Sequence, residues 1–159
     1  MEIENKLNNY LKNLNISYTI HEHPAVFTVA ESDKVIKDYS YFHTKNLFMK
    51  GESGNFYLIC LRADKKLDIK KLRAKLKEGK ISFASPEELK KHLNLTPGSV
   101  SFFGIINSKK VMLLLDEEIW NAEKVGFHPN INIATLEITH KDLETFYNSL
   151  PNKKEIISL

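Results

Sequence analysis

Apolar side chains before residue 40 change from helical to strand spacing. Over residues 2–14 they recur at intervals of three and four positions, which predicts an amphipathic helix. Residues 17–21 alternate apolar and polar side chains, which is typical of a short strand. Thr28, with Glu31 three positions later, forms a capping-box pair and predicts a second helix that ends near Lys37.

Two apolar runs, 43–50 and 56–61, predict a β-hairpin. The segment between them contains Gly51 and Gly54, and glycine adopts the positive φ angles that a tight reversal needs. Strand alternation puts Lys45 and Asn46 on opposite faces, and both faces also carry large apolar residues. We therefore expect this strand to be covered on both sides, with Lys45 and Asn46 reaching solvent or pointing into a cleft.

The second half of the chain mixes further helices and strands without strict alternation. We therefore expect an α/β (α+β) fold with a mixed, mostly antiparallel sheet and flanking helices. The predicted elements are a helix capped by Asp68 and stopped by Gly79, a strand over 81–84, a helix over 85–93, a turn at 96–99, a hairpin of strands 103–106 and 110–115, a helical turn over 116–120, a loop over 127–130, a strand over 133–138 and a helix over 139–150.

Composition restricts the class of protein. A chain of 159 residues is expected to form a single domain, residues 1–159, with one substantial core. No apolar run approaches the roughly 20 residues of a membrane span, and the acidic, polar N-terminus does not resemble a secretory signal. The one cysteine, Cys60, excludes an internal disulfide and fits a cytoplasmic location. Within its apolar run, Cys60 is interpreted as a small buried hydrophobe.

The net charge of +3 is unevenly distributed. Residues 62–80 contain nine Lys or Arg against three acidic residues. Two interpretations remain open, a patch that faces a polyanion or a solvated helix face that is rich in lysine. Motifs of common enzyme classes, including phosphate loops and zinc or serine-hydrolase signatures, are absent, and the histidines are scattered. No metal or other cofactor is therefore expected.

Six segments, taken in order, carry the strongest functional signal. They are His-Pro-Ala-Val-Phe-Thr at 23–28, Lys-Asn-Leu-Phe at 45–48, Ile-Ser-Phe-Ala-Ser at 81–85, Leu-Thr-Pro-Gly-Ser-Val at 95–100, Phe-Gly-Ile-Ile-Asn at 103–107 and Phe-His-Pro-Asn at 127–130. Together they resemble the YbaK/prolyl-tRNA-synthetase-associated editing-domain family over roughly residues 5–150. The second and fourth segments are similar to those of free-standing Ala-tRNA(Pro) deacylases and PrdX-type proteins.

The resemblance implies a trans-editing hydrolase that cleaves the ester joining a wrong amino acid to the 3′-terminal adenosine of tRNA(Pro), with alanine as the expected amino acid. Synthetase pockets reject a smaller substrate by only about 1–3 kcal/mol per methylene, so a second hydrolytic site is needed. An ester is already activated, and such a site needs a positioned water and oxyanion donors more than a nucleophile. The alternatives are removal of cysteine or serine, and a non-catalytic tRNA-binding or regulatory homologue.

The resemblance also implies roles for individual residues. Lys45 would anchor the phosphate of the terminal adenosine or polarise the ester, and the Gly98 loop would offer backbone N–H groups to the ester carbonyl. The expected substrate contacts are Asn46, Phe27, Thr28, Ser99 and His128. The expected tRNA contacts are Lys70, Lys71, Arg73 and Lys77.

Phe102 departs from the family pattern. The family loop reads Gly-x-x-x-Pro, and Phe102 occupies the place of the proline. A proline would fix φ and remove a donor, whereas phenylalanine does neither, so this position favours the non-catalytic alternative.

The expected partner is the tRNA(Pro) acceptor end, with prolyl-tRNA synthetase or an elongation factor as candidate partners of a monomeric protein.

Overall fold

The computed structural model describes residues 3–25 and 41–159, so the helix predicted to begin at Thr28 lies outside the described residues. The helices are α1 (Asn5–Asn13), α2 (Ile69–Leu76), α3 (Pro86–Leu93), a 3-10 helix (Phe102–Asn107), α4 (Glu117–Trp120) and α5 (His140–Ser149). The strands are β1 (Thr19–Glu22), β2 (Phe42–Gly51), β3 (Phe56–Arg62), β4 (Ile81–Phe83), β5 (Met112–Asp116), β6 (Lys124–Phe127), β7 (Ala134–Thr139) and β8 (Lys154–Ile157). No helix in this part of the chain is both long enough and apolar enough to cross a membrane.

Strand β2 joins the two halves of an eight-stranded sheet. The strand order is β1-β7-β6-β2-β3-β5-β8, and β4 also pairs with β2. One edge of β2 pairs antiparallel with β3 from Thr44 to Lys50. The opposite edge pairs with β6 at residues 42–43 and with β4 at residues 49–51. Between these two pairings, no strand of the described residues pairs with that edge of β2, and this stretch is referred to as the gap.

The first predicted hairpin is confirmed by the antiparallel pairing of β2 with β3. The second is wrong, because residues 102–107 form a 3-10 helix and β5 pairs in parallel with β3 and β8. Phe102, Phe103 and Ile105 are all buried, and the alternation of a strand would not turn two successive residues toward one core. The mixed sheet is confirmed, although strands β6 and β8 were not predicted.

Most predicted helix starts are confirmed. Asp68 accepts the backbone N–H of Lys71 at 3.0 Å and caps α2, and Ser85 forms a capping box at the start of α3. The predicted end of α2 at Gly79 is wrong, because the helix already ends at Leu76, and Lys77 follows in the left-handed region with φ 55°. Ile69, at the start of α2, is 39% exposed and does not face inward as the helical spacing predicts.

The sheet separates two apolar clusters. The larger cluster lies on one face, where helices cover residues such as Phe48, Leu58 and Cys60. The smaller cluster lies on the other face, where Leu72 of α2 packs beside buried side chains of the central strands. Each fully buried Leu or Phe side chain contributes about 1.5–3 kcal/mol to folding. Strand β2 is therefore covered on both sides, as predicted from its composition.

The carboxylate of Glu78 connects the end of α2 to the turn between β2 and β3. It accepts the backbone N–H of Ser53 at 3.1 Å, the hydroxyl of Tyr57 at 2.6 Å and the hydroxyl of Ser53. A Cβ at Gly51 would lie 2.3 Å from this carboxylate, so only glycine leaves room for it. The helix and the hairpin are thereby held together by a buried acid.

Candidate active site

The sheet face that carries α2 changes from apolar to polar along β2. Met49 and its neighbours in the central strands are buried in the smaller cluster. Toward the other end of β2, and across β6, β7 and β1, the same face carries polar or small side chains. Strand alternation places these residues on it: His21, Tyr41, His43, Lys45, Gly126 and Thr135. Lys45 lies at the boundary between the apolar and polar areas.

Lys45 is half-buried in β2, opposite Leu61 of β3. Among the described residues, no hydrogen bond or ion pair within 4 Å involves its ammonium. Burial lowers the pKa of Lys45, and the nearby Asp64 carboxylate opposes this effect. An ammonium in this position can bind a phosphate or a carbonyl oxygen without first breaking an ion pair.

The imidazole of His128 lies on the polar face, just after β6. Its Nδ1 is 2.9 Å from the carbonyl oxygen of Ala134, so Nδ1 carries the proton, and Nε2 is an acceptor with no hydrogen-bond partner among residues 3–25 and 41–159. Burial lowers the pKa of His128, the hydrogen bond to Ala134 opposes this, and His23 adds to it. The rings of His23 and His128 are 5.9 Å apart. A neutral imidazole with an unprotonated Nε2 can orient a water molecule by accepting a hydrogen bond from it.

Gly126 lets an aromatic ring lie flat on the polar face. A Cβ at this position would lie 2.3 Å from the Tyr41 ring and 2.8 Å from the methyl group of Thr135. The Tyr41 ring in turn lies between those of His21 and His43, at centroid distances of 5.1 and 4.9 Å. The Thr135 hydroxyl is 2.9 Å from Nε2 of His23. These contacts hold the aromatic and histidine rings in place on the polar face.

The Gly98 loop is a turn that one hydrogen bond joins to the backbone of His128. Gly98 has φ 87°, which only glycine adopts without strain, and the N–H of Ser99 donates to the carbonyl of Thr96 at 3.0 Å. The turn therefore uses the N–H of Ser99, whereas that of Gly98 has no acceptor among the described residues. The Ser101 hydroxyl donates to the backbone carbonyl of His128 and ties the loop to the site. Of the two predicted residues, Gly98 is the one with a free donor.

Asn46 does not share a face with Lys45. Its side chain lies on the side of the larger cluster, and its buried Oδ1 has no hydrogen-bond partner among the described residues. Its backbone points elsewhere. The N–H of Ala84 donates to the carbonyl of Phe48 at 3.0 Å on the edge that faces β4, and alternate residues direct their backbone groups to the same edge. The N–H and C=O of Asn46 therefore face the gap between β4 and β6.

Phe102 fills the core. It is the first residue of the 3-10 helix, is fully buried and stacks on Phe127. Ser101 caps this helix by accepting the N–H of Phe103 at 3.1 Å. The first N–H of a helix has no partner within the helix, so a proline and a phenylalanine both fit there. The departure from the family pattern thus leaves the helix start intact, which removes the support it gave to a non-catalytic protein.

The predicted tRNA contacts are exposed and lie on or next to α2, on the same side of the sheet as Lys45. In the described part of the chain none of them forms an ion pair, whereas their neighbour Lys75 pairs with Glu155 at 3.1 Å. These residues are Lys70, Lys71, Arg73 and Lys77. Phe27 and Thr28 lie outside the described residues, so their predicted contacts stay predictions.

Cys60 is fully buried in the larger cluster, which confirms its interpretation as a small hydrophobe. Burial raises the pKa of its thiol well above the usual range, so the thiolate needed for nucleophilic attack is scarce. Within residues 3–25 and 41–159, no three His, Cys, Asp or Glu side chains are grouped so that they could hold a metal ion.

Sequence reasoning missed several residues of the polar face. Tyr41, His43 and Gly126 were not predicted as part of a site, nor were His23 and Thr135. The signal that could have found them is a polar or small residue at every second position, as in Tyr41-x-His43-x-Lys45. Each strand contributes such a pattern over only a few positions, and the strands that form the polar face are far apart in sequence.

Comparison with known proteins finds matches over most of the chain. The pattern of the aminoacyl-tRNA editing domain matches residues 23–146. The prolyl-tRNA editing protein ProX of Acetoanaerobium sticklandii is 36% identical over 152 residues, covering 94% of this chain and 93% of that protein. Prolyl-tRNA synthetase associated domain-containing protein 1 of Danio rerio is 31% identical over 162 residues, covering 99% and 88%.

A solved structure of a candidate trans-editing enzyme for prolyl tRNA synthetase shares the fold. Its TM-score is 0.72 at 18% identity, and the match covers 99% of both chains. The match to the family pattern and the similarity to ProX together extend over nearly the whole sequence. The chain therefore belongs to the aminoacyl-tRNA editing domain family.

Proposed function

We propose that this protein is a trans-editing deacylase that hydrolyses the ester of mischarged tRNA(Pro), with Ala-tRNA(Pro) as its substrate. The observation that carries the proposal is the half-buried Lys45 ammonium, which has no ion-pair partner among the described residues and lies on the same sheet face as His128. Membership of the editing family and the similarity to ProX support the reaction class. In this proposal a monomer acts in the cytoplasm on tRNA(Pro) that prolyl-tRNA synthetase has mischarged.

The side chains on the polar face suit ester hydrolysis by water. Lys45 would bind the terminal phosphate or the ester carbonyl oxygen, and the N–H of Gly98 would donate to the oxygen as it becomes negative. Nε2 of His128 would accept a hydrogen bond from the attacking water. Water adds to the carbonyl carbon, the bond to the ribose oxygen breaks, and this oxygen takes up a proton as the amino acid leaves.

The exposed cations of α2 would bind the acceptor stem. They are on the side of the sheet where Lys45 lies, so one RNA could reach both. Contacts to phosphates are independent of sequence and supply affinity rather than choice of amino acid. We therefore assign substrate placement to α2 and chemistry to the polar face.

The decisive experiment measures deacylation of Ala-, Cys-, Ser- and Pro-tRNA(Pro) by the wild type, by Lys45→Ala and by Lys109→Ala. Lys109 is an exposed lysine outside the site and is the matched control. We expect turnover of Ala-tRNA(Pro) that Lys45→Ala abolishes and Lys109→Ala preserves. Faster loss of cysteine or serine would keep the reaction and change the amino acid. Tight binding of Ala-tRNA(Pro) with no turnover of any substrate would reject the enzyme in favour of the binding protein.

A further inference from the structure

Phe83 is the most exposed of the large apolar side chains in the described part of the chain. It is 66% exposed, against 41% for Ile133 and 39% for Ile69. It is the last residue of β4, whose first residue, Ile81, is buried in the smaller cluster. Strand β4 is thus anchored to the core through Ile81, and the fold does not require an aromatic ring at position 83.

Phe83 lies on the same sheet face as Lys45. It pairs with Met49 in the antiparallel register of β4 and β2, and directly paired residues share a face. Lys45, Leu47 and Met49 alternate along that face of β2. Met49 is four positions after Lys45 along the strand, which corresponds to about 13 Å. An exposed aromatic ring therefore lies on the same sheet face as the proposed ester site, further along β2 toward Met49.

Exposed cations lie on the same side of the sheet as this ring. Helix α2 packs on that side through Leu72, and Lys77, which directly follows α2, is exposed and forms no ion pair with a described residue. Exposed aromatic rings beside a positively charged surface bind unpaired nucleotides, because the cations hold the phosphates while each base stacks on a ring. The charge and the ring together favour single-stranded RNA as the occupant over an apolar protein segment.

We propose that Phe83 is a stacking platform for an unpaired base of the 3′ end, at a nucleotide that precedes the terminal adenosine. The inference rests on the proposed function, which places the ester near Lys45. The terminal adenine is attached to the same ribose as the ester and must stay near Lys45. The base that reaches Phe83 therefore belongs to a nucleotide further along the unpaired strand.

The test uses an acceptor-stem RNA with 2-aminopurine at the penultimate nucleotide, since stacking quenches its fluorescence. Phe83→Ala and Phe83→Trp are compared with Ser82→Ala, which is exposed on the same strand but on its other face. We expect quenching with the wild type, Phe83→Trp and Ser82→Ala, and loss of quenching with Phe83→Ala. We further expect Phe83→Ala to weaken RNA binding about tenfold.

Deacylation kinetics separate this inference from the proposed function. We expect Phe83→Ala to raise KM about tenfold and leave kcat near the wild-type value, because the ring touches the RNA and not the reacting ester. If the wild type hydrolyses Ala-tRNA(Pro) and Phe83→Ala changes neither KM nor quenching, the stacking platform is rejected and the function stands. If the wild type binds and quenches the RNA without hydrolysis, and Phe83→Ala loses the quenching, the function is rejected and the platform stands.

Discussion

The ring of Phe102 stacks on the ring of Phe127, with centroids 4.5 Å apart and planes inclined by 22°. Phe102 directly follows the Gly98 loop, and Phe127 directly precedes His128. The stack therefore joins the backbone segments that carry two proposed functional groups. Both rings are buried, so the contact contributes to stability as well as to the position of the site.

Replacing Phe102 with alanine is expected to lower the free energy of unfolding by about 3–5 kcal/mol, because it removes a fully buried ring and leaves a cavity. Urea denaturation followed by circular dichroism measures this change. The matched control is Phe83→Ala, which removes an exposed ring and should change stability by no more than about 0.5 kcal/mol. Equal losses for the two variants would show that Phe102 is not part of the core.

Two glycines separate a backbone effect from a catalytic one. Gly98 and Gly54 both have positive φ, at 87° and 93°, so alanine at either position should cost about 1–2 kcal/mol of stability. Only Gly98 lies in the proposed oxyanion loop, and a small displacement of a catalytic group can cost about a hundredfold in rate. We expect Gly98→Ala to lower kcat for Ala-tRNA(Pro) about a hundredfold and Gly54→Ala to leave it near the wild type. A similar kcat for both variants would argue against a role for the loop.

Acidification is expected to destabilise the protein through His128. Burial lowers the pKa of His128 in the folded state below the ordinary value of 6.5, so the unfolded chain takes up this proton first as the pH falls. The stabilisation is complete above about pH 6.5 and is lost as the pH falls toward the folded-state pKa. Urea unfolding at a series of pH values should show a shallower decline for His128→Asn. Burial also lowers the pKa of His92, so part of the decline should remain. If the stability of His128→Asn falls with pH as steeply as that of the wild type, His128 is not a source of the acid destabilisation.

The cations of α2 are expected to control RNA affinity and its dependence on salt. The double variant Lys70→Gln/Lys71→Gln should weaken binding of tRNA(Pro) and reduce the slope of log Kd against log salt by about one for each phosphate that is no longer neutralised. The control Lys109→Gln/Lys110→Gln removes the same charge from another exposed segment. Fluorescence titrations between low and moderate salt compare the two. Equal slopes for both double variants would show that the basic face of α2 is a solvated surface that does not bind RNA.

Local signals in the sequence predicted local structure well. The hairpin of β2 and β3 has a turn of Gly, Ser and Asn between two apolar runs, and the caps at Asp68 and Ser85 depend on nearby residues. The parallel pairings of β3, β5 and β8 join distant segments, and no short pattern encodes which strand will lie beside which. The 3-10 helix at Phe102 was mistaken for a strand because its apolar run is short, and such runs fit both structures.

The site was only partly predictable for a related reason. Lys45, Gly98 and His128 came from the resemblance to a family, and the residues alone do not distinguish them from an ordinary lysine, turn and loop histidine. The structure adds the polar face, which four separate strands assemble from one or two side chains each, such as His43 and Thr135. It also separates Asn46 from Lys45, as strict strand alternation already required.

The hydrogen bonds of Glu78 fix the distance between helix α2 and strand β2. Glu78 holds the end of α2 against Gly51, and Gly51 and Lys45 are parts of one continuous strand. The basic helix α2 and Lys45, the residue proposed to bind the ester, are therefore held at a fixed distance from each other. In the proposed function, an RNA whose unpaired 3′ end is one nucleotide too long or too short could place its phosphates on the helix or its ester at Lys45, but not both. The connection would thus make the protein select substrates by the length of their single-stranded end.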